Sequence, residues 1–163
     1  MNAFWNRINV DTSAGTIFDG DRRYLMMRPD VLMGMFRELP AHVRTEALAA
    51  LAKSTRKHGG KSVSAYRDAG GQSHLQQTVI EGAAAFGWGT WQVESGPQEL
   101  RLEVDNSPFA AGYGPSDLPV CAPINGIFHS LAEALLGTKV EVTETHCAAQ
   151  HGGRCHFIAW PST

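Results

Sequence analysis

Three cysteines and one glutamate in the C-terminal third are the residues whose types and spacing point to chemistry. Cys147 and Cys155 flank the Gly152-Gly153 pair in ETHCAAQHGGRC, eight residues apart. Glu144 stands three residues before Cys147, and Cys121 stands 23 residues before Glu144. In KVEVTETHC, a period of two puts Val140, Val142 and Glu144 on one strand face, with Lys139, Glu141, Thr143 and Thr145 on the other. A carboxylate on an apolar face has to be paired or bound, because burying its charge alone is unfavourable. A strand end or a bulge would swing the Cys147 thiol toward the same side. The glycine turn folds Cys155 back beside it, and Cys121 can complete a shell of three sulfurs and one oxygen. Zinc accepts such a set in tetrahedral geometry without redox demands. The same residues also fit a plainer reading, small buried or redox-sensitive cysteines beside an edge glutamate. His146 and His156 are rival ligands, and alternation puts His146 on the Glu144 face if no bulge intervenes.

A second group is aromatic. Phe86, Trp88 and Trp91 stand where helical spacing gives way to strand spacing, with Gly87 and Gly89 interleaved. Glycines there would leave room between the two tryptophans, and an enclosed apolar pocket with a few polar groups is the usual small-molecule site. Phe109, Tyr113, Phe128 and His129 are further wall candidates, and His74 is a candidate polar contact. An apolar aromatic at any of these positions reads equally well as core. No catalytic series emerges: His129 and Glu133 are an i,i+4 pair, and Ser130 precedes no strained nucleophile turn. Neither Gly59-Gly60 nor Gly70-Gly71 makes the dinucleotide pattern G-x-G-x-x-G.

The elements that must position these residues follow from periodicity. TIFDGDRRYLMMR, at 16–28, reads as two short strands turning at Asp19-Gly20. Pro29-Asp30 opens a helix carrying Val31, Leu32, Met35, Phe36 and Leu39, and Pro40 stops it. A second helix spans Ala41 to Lys57, ended by His58-Gly59-Gly60. A short helix over 61–69 closes at Gly70-Gly71, and a longer one covers Ser73 to Ala85. Trp88, Trp91 and Val93 belong to a first strand. ELRLEVD, at 99–105, alternates as a strand with one wet face. Residues 106–118 are a loop by composition, Pro119 to Gly137 a helix, and 138–147 and 154–160 the last two strands.

The composition fits one ordinary domain over 1–163: 163 residues, 43% apolar and 18% charged. A net charge of −2 does not favour direct nucleic-acid binding, which usually carries a basic footprint. No apolar run approaches the roughly 18–20 residues of a membrane span. The stretch from Met1 to Asp11 lacks the charged start and apolar core of a secretory leader, so a cytoplasmic location is expected. The three cysteines do not form a pure disulfide framework, their number being odd.

VCAPINGIFHSLAEALLGTKVEVTETHCAAQHGGRCHFIA resembles the 4-vinyl reductase domain family, which includes the effector-sensing part of aromatic-responsive bacterial transcription activators. RRYLMMRPDVLMGMFRELP resembles the strand–helix opening of the same sensors, and NSPFAAGYG the loop before the first metal cysteine. The likeness covers about residues 15–160. It implies an α+β fold, an antiparallel sheet packed with helices, of the ligand-binding type shared with NO-signalling and Golgi-transport proteins. It also implies zinc held by Cys121, Glu144, Cys147 and Cys155, a small hydrophobic ligand in a cavity beside the metal lobe, and a homodimer. The stripe Met26, Met27, Met33 and Met35 offers apolar surface for that pairing. A sensor or carrier is the expected function, with a separate regulatory protein as a further partner. An enzyme or accessory of tetrapyrrole or hydrocarbon metabolism and a ligand-free structural adaptor are the alternatives. This sequence holds neither the ATPase module nor the helix-turn-helix of the activators.

Overall fold

The computed structural model describes residues 4–162; the first three residues of the stretch read for a leader lie outside that range. The chain opens with β1 (Ile8–Asp11), β2 (Thr16–Asp19) and β3 (Arg22–Tyr24), an antiparallel three-stranded sheet in sequence order. The Asp19-Gly20 turn is where the sequence put it; β1 is an addition. Asp19 is buried between Arg7 and Arg22, at 3.4 and 3.6 Å. Both guanidinium groups lie over the Tyr66 ring, so charge pairing inside the sheet also fastens it to the helix behind. Phe86 joins from the other side, stacked on Tyr24 and edge-on to Phe4.

Helix α1 (Pro29–Glu38) begins with its proline and buries Met33 and Phe36. Its open C-terminal carbonyls are taken by Arg44, whose guanidinium donates to the oxygens of Phe36, Arg37 and Leu39. Helix α2 (Ala41–Gly70) then runs unbroken for 30 residues. This corrects the expectation of a stop at Gly59-Gly60 and a separate helix over 61–69. The glycines lie at the crossing with α5 (Ala122–Leu136). A β-carbon on Gly59 would sit 2.3 Å from Ile127 Cδ1 and one on Gly60 2.7 Å from Ser130 Oγ. On the facing helix, one on Gly126 would sit 2.4 Å from the Ala52 carbonyl oxygen. Glycine costs a helix interior about 1 kcal/mol relative to alanine; here it lets two backbones meet.

Helix α3 (Gln72–Ala85) leads into the main sheet: β4 (Thr90–Ser95), β5 (Leu100–Asp105), β6 (Val140–His146) and β7 (Cys155–Pro161), in the order β4-β5-β7-β6, antiparallel throughout. Trp88 precedes β4 rather than belonging to it. Leu100, Leu102 and Val104 of β5 and Cys155, Phe157 and Ala159 of β7 are buried, opposite one another in register. Helices α3 and α5 cover that face, while Arg101 and Glu141 point to water. The fold is α+β, as expected. The segment 106–118 contains a six-residue helix, α4 (Pro108–Tyr113), capped by Ser107, which accepts from the Ala110 N–H at 3.3 Å. A four-residue helix, α6 (Ala148–His151), fills the turn between β6 and β7.

A candidate metal centre

Two irregularities bring the four expected ligands together. On β6, Glu144 pairs with Phe157 but His146 pairs with His156, so Thr145 is an extra residue and the strand bulges there. The bulge breaks alternation after Glu144. Cys147, at the start of α6, turns inward and is buried, whereas His146 turns out and approaches the Gly152 carbonyl oxygen through Nε2 at 3.1 Å. Cys121 arrives from far along the chain as the N-cap of α5. Cys155 opens β7 opposite Val104. The ligand atoms of Cys121, Glu144, Cys147 and Cys155 all lie within 4.8 Å of one another.

The three cysteines are free and wholly buried. Cys121 Sγ is 3.9 Å from Cys147 Sγ and 3.5 Å from Cys155 Sγ, far beyond the roughly 2.05 Å of a disulfide. Sulfurs on a tetrahedral zinc at about 2.3 Å stand about 3.8 Å apart, and the two distances bracket that value. Glu144 Oε2 accepts the Cys121 backbone N–H at 3.1 Å, while Oε1 is buried with no hydrogen-bond partner. A buried carboxylate oxygen left open beside three sulfurs is the feature a cation would satisfy, so the residues fit zinc. Neither rival histidine joins them: His156 Nδ1 lies 3.6 Å from Glu103 Oε1, on the wet face of the sheet.

The electrostatics follow from four acidic groups in a dry space. Burial, then the neighbouring Cys147, pushes the Glu144 carboxyl up from 4.5 to about 8. Hydrogen bonds with Cys147 and Cys155, with burial behind them, hold Cys121 far above the usual thiol range. Cys155 goes the other way, down to about 4, because Cys121 and Cys147 donate to it; the Ala148 N–H adds a bond at 3.3 Å. Without a cation the cluster holds protons; a divalent cation displaces them and binds the anions they leave. Two supporting groups escaped the sequence reading. The Ser107 hydroxyl is buried 3.2 Å from Cys121 Sγ, and the Ala148 N–H steadies Cys155. The Ser107-Pro108 pair, a helix-start signal inside a supposed loop, was the available clue to the first.

The eight residues expected to line a ligand pocket are not gathered in one place. Trp91 is buried and its indole N–H donates to the Trp88 carbonyl oxygen at 3.2 Å. Trp88 is half-buried and meets Phe109 edge-on at 5.0 Å between ring centroids. Gly89 leaves no room between the tryptophans: a β-carbon there would lie 2.3 Å from the Asp105 carbonyl oxygen, so this glycine serves close strand approach. Phe86 packs against the N-terminal sheet, Phe128 meets Phe157 under the main sheet, and Tyr113 is buried at the end of α4. His74 is exposed. His129 lies inward with Nε2 buried and unpartnered, and burial lowers its pKa. Ser130 Oγ donates to the Arg56 and Gly126 carbonyls, which leaves it no nucleophile geometry.

Residues 100–161, from β5 to the end of β7, match the 4-vinyl reductase domain family. A search of curated proteins returns no match. Among solved structures, the chain is similar to the phenol-responsive sensory domain of the transcription activator PoxR, solved with phenol. That likeness has a TM-score of 0.78 and 16% identity over 97% of this chain and 86% of the other. It is also similar to a vinyl-4-reductase family protein from Methanocaldococcus jannaschii, at TM-score 0.53 and 14% identity over 86% and 98% of the two chains. A third similar structure is a trafficking protein particle complex subunit 3 from Naegleria fowleri, solved covalently bound to palmitic acid. It aligns at TM-score 0.58 and 12% identity over 83% and 95%. The chain has the 4-vinyl reductase domain fold, related to that of the PoxR sensory domain, and its candidate metal cluster lies within the matched segment.

Proposed function

We propose that this chain is a zinc-stabilised sensor or carrier for a small hydrophobic, aromatic ligand. The observation that carries the reading is the shared fold over 97% of the chain with a sensory domain solved with phenol. Zinc, held by Cys121, Glu144, Cys147 and Cys155, is structural in this reading: four protein ligands fill its shell, and it ties the start of α5 to the β6–β7 hairpin. Ligand contact is assigned to Trp88, Trp91 and Phe109, the part of the expected wall that packs together, at the edge of the sheet. The alternatives, a tetrapyrrole or hydrocarbon enzyme accessory and a ligand-free adaptor, have no comparable observation behind them.

Pairing of two chains through the N-terminal region completes the proposal. Leu25, Met26, Met27, Val31 and Met35 are exposed side by side in sequence, with Met26 at 84%. Met33, the remaining member of the expected stripe, is instead wholly buried in the core. Among the described residues, no helix is long and apolar enough to cross a membrane.

The test is a titration of zinc-loaded protein with phenols, alkylbenzenes and longer hydrocarbons, followed by tryptophan fluorescence and calorimetry. A saturable response that weakens little with salt, from protein containing one zinc per chain, is expected. No response to any of them would leave the adaptor reading standing. Light scattering should return twice the 17.7 kDa chain mass.

A further inference from the structure

Helix α2 carries a charge asymmetry that neither the metal centre nor the ligand reading uses. The chain as a whole has a net charge of −2, yet from Ala47 to Arg67 there are five Lys or Arg and no Asp or Glu. Lys53, Lys57 and Lys61 follow one another at i,i+4, an arrangement of like charges that weakens a helix. Among the described residues no carboxylate pairs with any of the three. The fold gains nothing from this array, so its use is sought outside the chain.

Four of the cations line a groove. Lys53, Arg56, Lys57 and Arg67 form one wall of a cleft of about 560 Å³ between α2 and α5. Ser130, Glu133 and Ala134 of α5 form the opposite wall, and Val63 lies buried at the base. Glu133 accepts from Arg56 at 2.7 Å, which holds that guanidinium at the groove edge and spends one of the four charges. Arg67 has Asp68 beside it at 3.4 Å.

The spacing of the cations decides what fits. Lys53 to Arg67 spans fourteen helical steps, about 21 Å along the axis. A compact anion would reach two of these groups at most. A helix lying along the groove, with carboxylates at i, i+3, i+4 and i+7, would meet the array along its length and set a small apolar side chain over Val63 and Ala134. Nucleic acid fits less well. The groove walls hold no aromatic ring for a base to stack on, and Glu133 puts a negative charge on the wall facing α2. We infer that the α2–α5 groove is a docking surface for an acidic, amphipathic helix of a partner protein. This inference stands independently of the ligand proposed above.

The probe is a fluorescein-labelled helical peptide of about 15–18 residues, long enough to span the groove. Its glutamates follow the i, i+3, i+4, i+7 pattern, and a scrambled peptide of the same composition is the control. Fluorescence anisotropy on zinc-loaded protein should show the patterned peptide binding at least about fivefold more tightly than the scrambled one, with affinity falling as salt rises. The double reversal Lys57→Glu, Arg67→Glu should weaken it about tenfold or more. Arg101→Glu, on the exposed face of β5, should leave it unchanged. Should the reversal disturb folding by circular dichroism, Lys57→Gln, Arg67→Gln should give a smaller loss of the same kind. Equal binding of the two peptides, or binding indifferent to all groove variants, overturns the inference. So does a 20-base-pair DNA duplex that outcompetes the patterned peptide and is lost on reversal, which would assign the groove to nucleic acid.

Discussion

Replacing Glu144 by glutamine should change the protein's stability in opposite directions with and without metal. Without metal, the Glu144 carboxyl is raised from 4.5 to about 8 by burial and by Cys147. A group whose folded pKa lies above its unfolded value contributes stability that is fully present below about 4.5 and lost as pH rises through about 8. From 4.5 to pH 7, at about 1.36 kcal/mol per pH unit, the loss reaches a ceiling of about 3 kcal/mol. Glutamine keeps the oxygen that accepts from the Cys121 N–H and carries no charge to bury. The chelated variant should therefore exceed chelated wild type by about 1–3 kcal/mol at pH 7, with the margin shrinking toward pH 5. Zinc reverses the sign, because an amide is a far poorer ligand than the carboxylate whose Oε1 is otherwise unpartnered. Urea unfolding of both proteins, chelated and zinc-loaded, at the two pH values reads all of this. If chelation unfolds wild type, the variant should show the larger folded fraction under the same conditions. A change of one sign in both metal states would refute the reasoning, since Glu144 would then act only through packing.

Gly126→Ala should destabilise by about 1–3 kcal/mol, measured by thermal or urea unfolding, because the new carbon falls 2.4 Å from the Ala52 carbonyl oxygen and 2.8 Å from the Arg56 nitrogen. His129 is held below its ordinary 6.5 by burial, so the stability it contributes is fully present above about 6.5 and lost as pH falls through its lower folded value. Unfolding between pH 7.5 and 5 should show that loss, and His129→Gln should flatten it. Trp91→Ala, at a buried site, should cost about 3–5 kcal/mol. Trp88→Ala, at a half-buried one, should cost less while abolishing the fluorescence response to ligand; equal costs would place both rings in the core alone.

Much of the site was legible because it depends on local rules. Alternation in KVEVTETHC places Glu144 on the valine face regardless of what packs there, and Val140 and Val142 lie buried and half-buried beside it. The glycine pair at 152–153 returns the chain toward Cys147, and the spacing of thiolates and carboxylate restricts the chemistry to a soft, tetrahedral cation. The Asp19-Gly20 turn, the proline start of α1 and the alternation of β5 are legible for the same reason: each is decided within a few residues.

Contacts between distant segments decided the rest. A Gly-Gly pair inside a helix reads as a stop until Ile127 and Ser130 of α5 are seen pressing on it, and only that crossing makes α2 one helix of 30 residues. The bulge at Thr145 is a matter of β6 pairing with β7; it sends His146 outward and Cys147 inward, and so chooses thiolate over imidazole. Gly89 looked like space reserved for a ligand and is instead the close approach of β4 to the end of β5. Periodicity reports which way a side chain faces within its own element. Which faces meet, and how closely, depends on packing between segments far apart in the chain, and no short window of sequence contains it.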